Sequence, residues 1–261
     1  MVDFSNKIGH HIIRLDEIPS TNSFLLRNKE YLKQHGTVVT AHAQTGGRGR
    51  AERKFVSLPG KNITFSVVVH STPPLEDLGI YSLLTGISVF RALSPYTRVL
   101  PRLKWPNDVL VGNRKICGIL LEVATLPEMR HPVLVIGIGI NCKGSASDYP
   151  EDLLHTLTTL EQESSQPIKP NIVFQEVLIQ LGNVLDEFMS HRKSELMQEW
   201  LSHSNAMAAA VQYETRDGWA TGVVEGLTSS GYLLIRENTG KLHTHISGDV
   251  LYCNSPYSNP K

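Results

Sequence analysis

The stretch Pro132-Val133-Leu134-Val135-Ile136-Gly137-Ile138-Gly139-Ile140-Asn141 constrains the fold more than any other. Apolar residues follow one another without alternation, so a strand made of them has both faces out of water. Such a strand belongs in the middle of a sheet with a covering layer on each side. Gly137 and Gly139 weaken a strand interior, and there they mark a place where a ligand or backbone comes close. The pair is not a dinucleotide fingerprint, because the third glycine is missing and no helix follows at once.

The rest of the chain supplies neighbours for that strand. Ile12–Ile18 alternates as a half-buried strand does, and Thr37–Ala43 and Ile63–His70 are further strands. Arg102–Val123 reads as a hairpin around a Gly112-Asn113 turn. Helical spacing appears in Phe24, Leu25 and Leu26, with a helix running to Lys33 and ended by Gly36. It appears again over Leu75–Leu93 through Ile80, Leu83, Leu84, Ile87 and Phe90. Leu153–Glu163 predicts a short helix and Ser164–Pro170 a linker. Asn171 then caps a helix with Phe174, Val177, Leu178, Leu181, Leu185 and Phe188 on one face, and a further turn or two carries Leu196, Trp200 and Leu201. After about Ala206 the pattern changes to short strands, Ala210–Thr215, Trp219–Glu225, Tyr232–Arg236, Lys241–His245 and Val250–Cys253. Turn residues separate them at Asp217-Gly218, Ser229-Ser230-Gly231 and Thr239-Gly240. This predicts a small β-barrel leaning on the larger part, with a frayed tail from Asn254 to Lys261. The expected division is 1–205 and 206–261, and 261 residues with 41% hydrophobic content suffice for it.

Charge and cysteine content exclude several classes. Lys+Arg and Asp+Glu balance at 25 each, so no basic footprint for nucleic acid is present. The longest apolar runs, such as Val133–Ile140, are too short to span a bilayer, and Met1–Asn6 lacks the pattern of a secretory signal. Cys117, Cys142 and Cys253 are scattered and odd in number, which predicts reduced thiols in a cytoplasmic protein. His10-His11, His243 and His245 lack the acidic neighbours and spacing of a metal site, so no metal held by the protein is expected.

Three clusters carry chemistry. Gln44-Thr45-Gly46-Gly47-Arg48-Gly49-Arg50 follows a strand directly. Glycines let a ligand approach main-chain N–H groups, and arginine forks match phosphate and carboxylate geometry. The loop runs on to Lys61 without regular structure, a length that predicts mobility without ligand and order over one. Ser20-Thr21-Asn22 reads either as a helix cap or as a polar ligand contact at a helix start, and capping needs only one of the three. Asp108 and Lys115 flank the hairpin turn and can face each other, either as a cross-strand ion pair or as groups converging on a phosphate. Trp105-Pro106 at the strand mouth reads as structural.

Taken together, five segments resemble the biotin–protein ligases. They are Ser20-Thr21-Asn22, Gln44 with Gly47-Arg48-Gly49-Arg50, Lys104–Asp108, Arg114–Glu122 and Gly137–Asn141, in the family's order and at similar spacing over about 12–253. The resemblance implies an α+β fold, a mixed and largely antiparallel sheet with flanking helices like that of class II synthetases, plus a small SH3-like C-terminal barrel. It implies that biotin and MgATP give biotinyl-5′-AMP, and that biotin then passes to a lysine on the carrier domain of a biotin-dependent carboxylase. Carried over by position, Ser20, Thr21, Asn22 and Gln44 contact biotin's ring and ureido group, with Arg48, Gly49, Gly118 and Gly137 along its slot. Arg48, Arg50, Phe55, Asn107, Lys115 and Asn141 contact the nucleotide. Lys115, Arg50 and Asp108 carry the chemistry, Asp108 near the phosphates and in reach of their magnesium. ATP and Mg2+ enter as cosubstrate, with no permanently bound cofactor. Two positions depart from the family: Glu52 stands where glycine is frequent, and Phe55 stands where tryptophan is usual and is thought to stack near adenine. Only about ten residues precede the first strand, too few for the helix-turn-helix of regulatory members, so no DNA-binding role is expected. No membrane partner is expected, and a homodimer stays open. The competing readings are a lipoate ligase or lipoyl/octanoyl transferase, and a non-catalytic vitamin-binding or regulatory protein.

Overall fold

The structure is a computed structural model that describes residues 7–70, 78–216 and 218–253. Its first sheet has seven strands: β1 (His11–Ile18), β2 (Thr37–Gln44), β3 (Asn62–His70), β4 (Arg102–Lys104), β5 (Asp108–Val111), β6 (Arg114–Ala124) and β7 (Val133–Asn141). Their order is β1-β2-β3-β7-β6-β5-β4, which puts the wholly apolar run in the middle. β1 runs parallel to β2, and every other neighbour is antiparallel.

Adjacent residues point to opposite faces, and each face has its own cover. Val39, Val68, Val133 and Val135 pack with Leu25 and Leu32, from the helices α1 (Thr21–Arg27) and α2 (Lys29–Leu32). Val38, Val67, Leu134 and Ile136 join the larger cluster built on α3 (Ile80–Leu93) and α5 (Pro170–Met189). Phe65 of β3 meets Phe174 of α5 edge-on at 5.0 Å, a geometry that suits the ring quadrupoles. Arg91 of α3 binds Glu187 of α5 and Glu199 of α6 (Lys193–Ser202), each at 2.6 Å. The Glu199 carboxylate, with Glu187, holds the Arg91 guanidinium above its ordinary pKa.

The remaining strands are β8 (Ala210–Thr215), β9 (Gly218–Leu227), β10 (Leu233–Glu237), β11 (Leu242–His245) and β12 (Val250–Tyr252). They form one antiparallel sheet in the order β11-β10-β9-β8-β12. All five expected strands are present, with ends moved by a residue or two. Val211, Tyr213, Val224, Leu233 and Ile235 are buried in the same cluster as the α3 side chains, so the small sheet leans on the large one.

Local differences from the sequence expectations have physical causes. The helix expected up to Lys33 breaks at Asn28, whose side-chain amide donates back to the Phe24 carbonyl at 2.6 Å. Gly36 does close this region, at φ +81, and a Cβ there would lie 2.1 Å from the Lys7 carbonyl oxygen. The helix expected over Leu153–Glu163 is a 3-10 turn at Glu151–Leu153 followed by α4 (Leu160–Glu163). The chain between them is drawn out to bond both sides of Lys115: its N–H donates to Thr156 O at 2.7 Å, and Thr158 N–H donates to its carbonyl at 3.0 Å. Lys169, not Asn171, precedes the first turn of α5, where Pro170 has no N–H to leave unpaired. The expected start of α3 at Leu75, Met1–Asn6, Asp217 and the Asn254–Lys261 tail fall outside the described residues.

The half-buried His35 makes stability depend on acid. His35 Nδ1 accepts the His70 N–H at 3.0 Å. Burial, then the nearby His70, pushes its pKa from 6.5 down to about 4. Protonation therefore favours the unfolded chain, and this contribution is complete above about pH 6.5 and lost as pH falls toward 4. His35→Gln should flatten the fall in the denaturant midpoint between about pH 7 and about pH 4.5. Parallel curves for the variant and the parent would count against it.

Candidate active site

A cavity of about 160 Å³ opens beside β7, where α1, the glycine/arginine loop and the β5–β6 hairpin converge. Ser20, Thr21, Asn22, Gln44, Arg48, Gly49, Arg50, Phe55, Asn107, Asp108, Lys115, Gly118 and Gly137 all line it. Arg50 and Lys115, from separate segments, therefore face one space.

The polar row at the start of α1 divides its work. Ser20 Oγ accepts the Ser23 N–H at 3.4 Å, so Ser20 is the cap. Thr21 and Asn22 are each 3% exposed and bond elsewhere. Thr21 donates from its N–H (2.8 Å) and its hydroxyl (3.1 Å) to Gln44 Oε1. Ser66 Oγ donates to Asn22 Oδ1 at 2.5 Å and lies 2.6 Å from Thr21 Oγ1. Asn22 Nδ2 donates to Leu120 O (3.2 Å) and to Glu122 Oε2 (2.8 Å).

The glycines of β7 explain themselves at this point. A Cβ on Gly137 would sit 2.4 Å from Asn22 Oδ1, and one on Gly139 would sit 2.4 Å from Phe55 Cζ. The close approach expected there is made by the protein's own side chains.

The stretch expected to lack regular structure instead doubles back. Arg48 bridges Lys54, Gly49 N–H donates to Arg53 O at 2.6 Å, and Phe55 N–H donates to Gly47 O at 2.9 Å. A 3-10 turn over Arg50–Glu52 makes the bend, with Ala51 at φ 49. A Cβ on Gly47 would lie 2.4 Å from the Phe55 carbonyl oxygen, so the return path needs glycine there. Gly46 N–H donates to Pro19 O at 2.9 Å and ties the loop to the start of α1. Arg48 Nη2 binds both Glu122 oxygens, at 2.8 and 2.9 Å. The Arg50 guanidinium sits 6.0 Å from the Trp105 ring centre, and burial, then Arg53, lowers its pKa. Arg53 reaches Asp249 beside the small sheet at 2.8 Å.

Lys115 Nζ pairs with Asp108 Oδ1 at 2.5 Å. The two are not directly opposed: Asp108 faces Gly118, and a register shift lies between Val109 and Leu110. Lys115 reaches Asp108 by lying across Gly118, where a Cβ would be 3.0 Å from its Nζ. Asn107 holds the strand mouth through bonds with Ile119, Nδ2 to O at 2.6 Å and Ile119 N–H to its carbonyl at 2.9 Å. Trp105 is structural: it is 3% exposed and donates to Gly231 O at 3.0 Å. Asn141 does not line the cavity. It is 2% exposed, accepts from Asn62 at 3.0 Å and donates to Lys115 O at 3.2 Å, so it supports the backbone beneath the lysine. His243 stacks on Tyr213 and His245 meets the same ring edge-on, and among the described residues no group of three or more His, Cys, Asp or Glu is placed to hold a metal.

Ser66 and Glu122 were not singled out from sequence. Ser66 was detectable as a hydroxyl between the apolar Phe65 and the run Val67–Val69. Glu122 was detectable as an acid near the end of another. The arrangement offers a neutral donor and acceptor set at one end and cationic side chains at the other. It suits a ligand with an uncharged polar head and an anionic reacting end.

Both parts of the chain match known proteins. The model described as the biotin/lipoate A/B protein ligase family matches residues 15–141, and that described as the biotin protein ligase C terminal domain matches 210–251. The chain is 30% identical over 233 residues to the bifunctional ligase/repressor BirA of Bacillus spizizenii, covering 89% of this chain and 71% of that protein. It is 28% identical over 239 residues to the biotin–[acetyl-CoA-carboxylase] ligase of Mycobacterium tuberculosis, covering 89% and 85%. The biotin protein ligase from Aquifex aeolicus, solved in complex with biotin and ATP, superposes with a TM-score of 0.77 at 30% identity, over 92% of this chain and 97% of that one.

Proposed function

The chain belongs to the biotin/lipoate A/B protein ligase family, and from that premise and the geometry of the cleft we propose how it acts as a biotin protein ligase. A biotin carboxylate oxygen attacks the α-phosphorus of ATP, pyrophosphate leaves, and biotinyl-5′-AMP forms. A lysine ε-amine on a carboxylase carrier domain then attacks the acyl carbon and AMP leaves. Relatives named as biotin ligases favour biotin over lipoate.

One observation carries the reading of the site: Arg50 and Lys115 share a cavity with Thr21, Asn22 and Gln44. Biotin's ureido head would lie among the last three and turn its acid toward the first two. Carboxylate and phosphate are both anions, and positive groups set in place beforehand offset their repulsion and hold them in line. Asp108, the ion partner of Lys115, would give up that lysine when phosphate arrives. Magnesium would enter with the nucleotide it accompanies; Asp108 is the one carboxylate lining the cavity among the described residues. Phe55, lying on Gly139, is the group in reach of a base, with less ring area than tryptophan. The folded-back loop would keep water off a mixed anhydride. The proposed division of labour is catalysis in 1–205 and support from 206–261, joined by the Trp105–Gly231 and Arg53–Asp249 bonds.

Mass spectrometry of a biotin carrier domain incubated with the protein, biotin and MgATP tests the reaction; no biotin mass added would sink it. Titration calorimetry separates the vitamins, and tight lipoate binding without biotin binding would overturn the choice. Gly137→Ala should weaken biotin binding at least about tenfold, because its Cβ displaces Asn22. Parent-like calorimetric affinity would remove Asn22 from the biotin contact.

A further inference from the structure

We propose that Glu122 is a positioning residue that sets the orientation of the Asn22 amide and the place of Arg48 with one carboxylate. The proposal rests on the biotin ligase reading of the cleft. Glu122 lies on β6 with its side chain 23% exposed. Its Oε2 takes Asn22 Nδ2 at 2.8 Å and Arg48 Nη2 at 2.8 Å, and its Oε1 takes Arg48 at 2.9 Å. Its two partners come from different elements, the first turn of α1 and the glycine/arginine loop.

The chemistry of a carboxylate makes this more than a surface ion pair. An ionised carboxylate only accepts hydrogen bonds. Facing Asn22, it forces the NH2 side of that amide toward itself and the oxygen toward Ser66 and Gly137. Asn22 is 3% exposed, so the amide has no water to compensate for a wrong orientation. The bonds run onward: Ser66 joins Asn22 to Thr21, and Thr21 donates to Gln44. One acid thus links the row proposed to hold the vitamin's head to a second lining residue of the same cavity, Arg48. An isolated exposed pair would contribute little, but a charge-assisted bond to a buried amide is stronger.

Glu122→Gln keeps the size and removes both effects. Glutamine can donate as well as accept, so Asn22 is free to turn, and Arg48 loses its charged partner. In biotin-dependent exchange of pyrophosphate into ATP, KM for biotin should rise at least about tenfold while kcat changes by less than about threefold. A purely structural role would lower the active fraction, and so kcat, and leave KM unmoved. Against an Arg48→Ala background, Glu122→Gln should raise KM by a smaller factor than it does alone. A parent-like KM for Glu122→Gln, or the same factor in both backgrounds, overturns the proposal. Should Glu122→Gln fail to fold, Glu122→Asp decides: its shorter stem reaches Asn22 or Arg48 but not both, and KM should rise at least about threefold. A parent-like KM there also overturns it. Absence of exchange in the parent protein would instead sink the ligase reading itself.

Discussion

Lys115→Ala lowers the rate of biotinyl-adenylate formation by about 10²–10³-fold and leaves the fold intact. The magnitude is that of removing one preorganised charge from a partly desolvated site. Lys115 is held against Asp108 at 2.5 Å and reaches over a glycine, so the amine is already placed when the substrates meet. The fold should survive because the structural bonds of Lys115 are made by its main chain, to Thr156, Thr158 and Asn141, and alanine keeps them. Single-turnover adenylate formation should lose far more than biotin affinity does, since the interaction strengthens as charge develops. Parent-like turnover by the variant would take the lysine out of the reaction.

Trp200→Ala costs about 3–5 kcal/mol of stability. Trp200 is 2% exposed on α6 and faces α3, where a Cβ on Gly86 would stand 3.7 Å from its Nε1. The indole is fully packed beside that helix, so truncation leaves a gap that rigid neighbours cannot close. Arg91 already ties α3 to α5 and α6, which limits collapse further. Urea unfolding should show the loss as a lower midpoint at an unchanged slope. Trp200 does not line the cleft, so activity per folded molecule should match the parent. A cost below about 1 kcal/mol would mean that the helices repack around the gap.

The two predictions differ in how they could be read from the chain. Trp200 belongs to an apolar face at helical spacing, and such a face declares its burial without coordinates. The glycine/arginine loop and the hairpin carried their chemistry in residue types. The departures from helical spacing come from competition for backbone bonds. Asn28 turns its amide on its own helix, and Lys115 captures Thr156 and Thr158, which would otherwise have extended a helix into Glu163. Neither effect has a period, so neither shows in hydrophobic spacing.

The order of residues by itself determined that 133–141 is a central strand, that Gly137 and Gly139 admit close neighbours, and that five short strands end the chain, because these follow from side-chain size and from alternation along one segment. Only the tertiary structure decided what comes close. The neighbours of Gly137 and Gly139 are Asn22 and Phe55, the partner of Arg48 is Glu122, and Lys115 reaches Asp108 across a register shift. The physical reason is the sheet order: β7 inserts between β3 and β6, so residues 74 and 100 positions from Glu122 meet it across strands that are not consecutive in the chain.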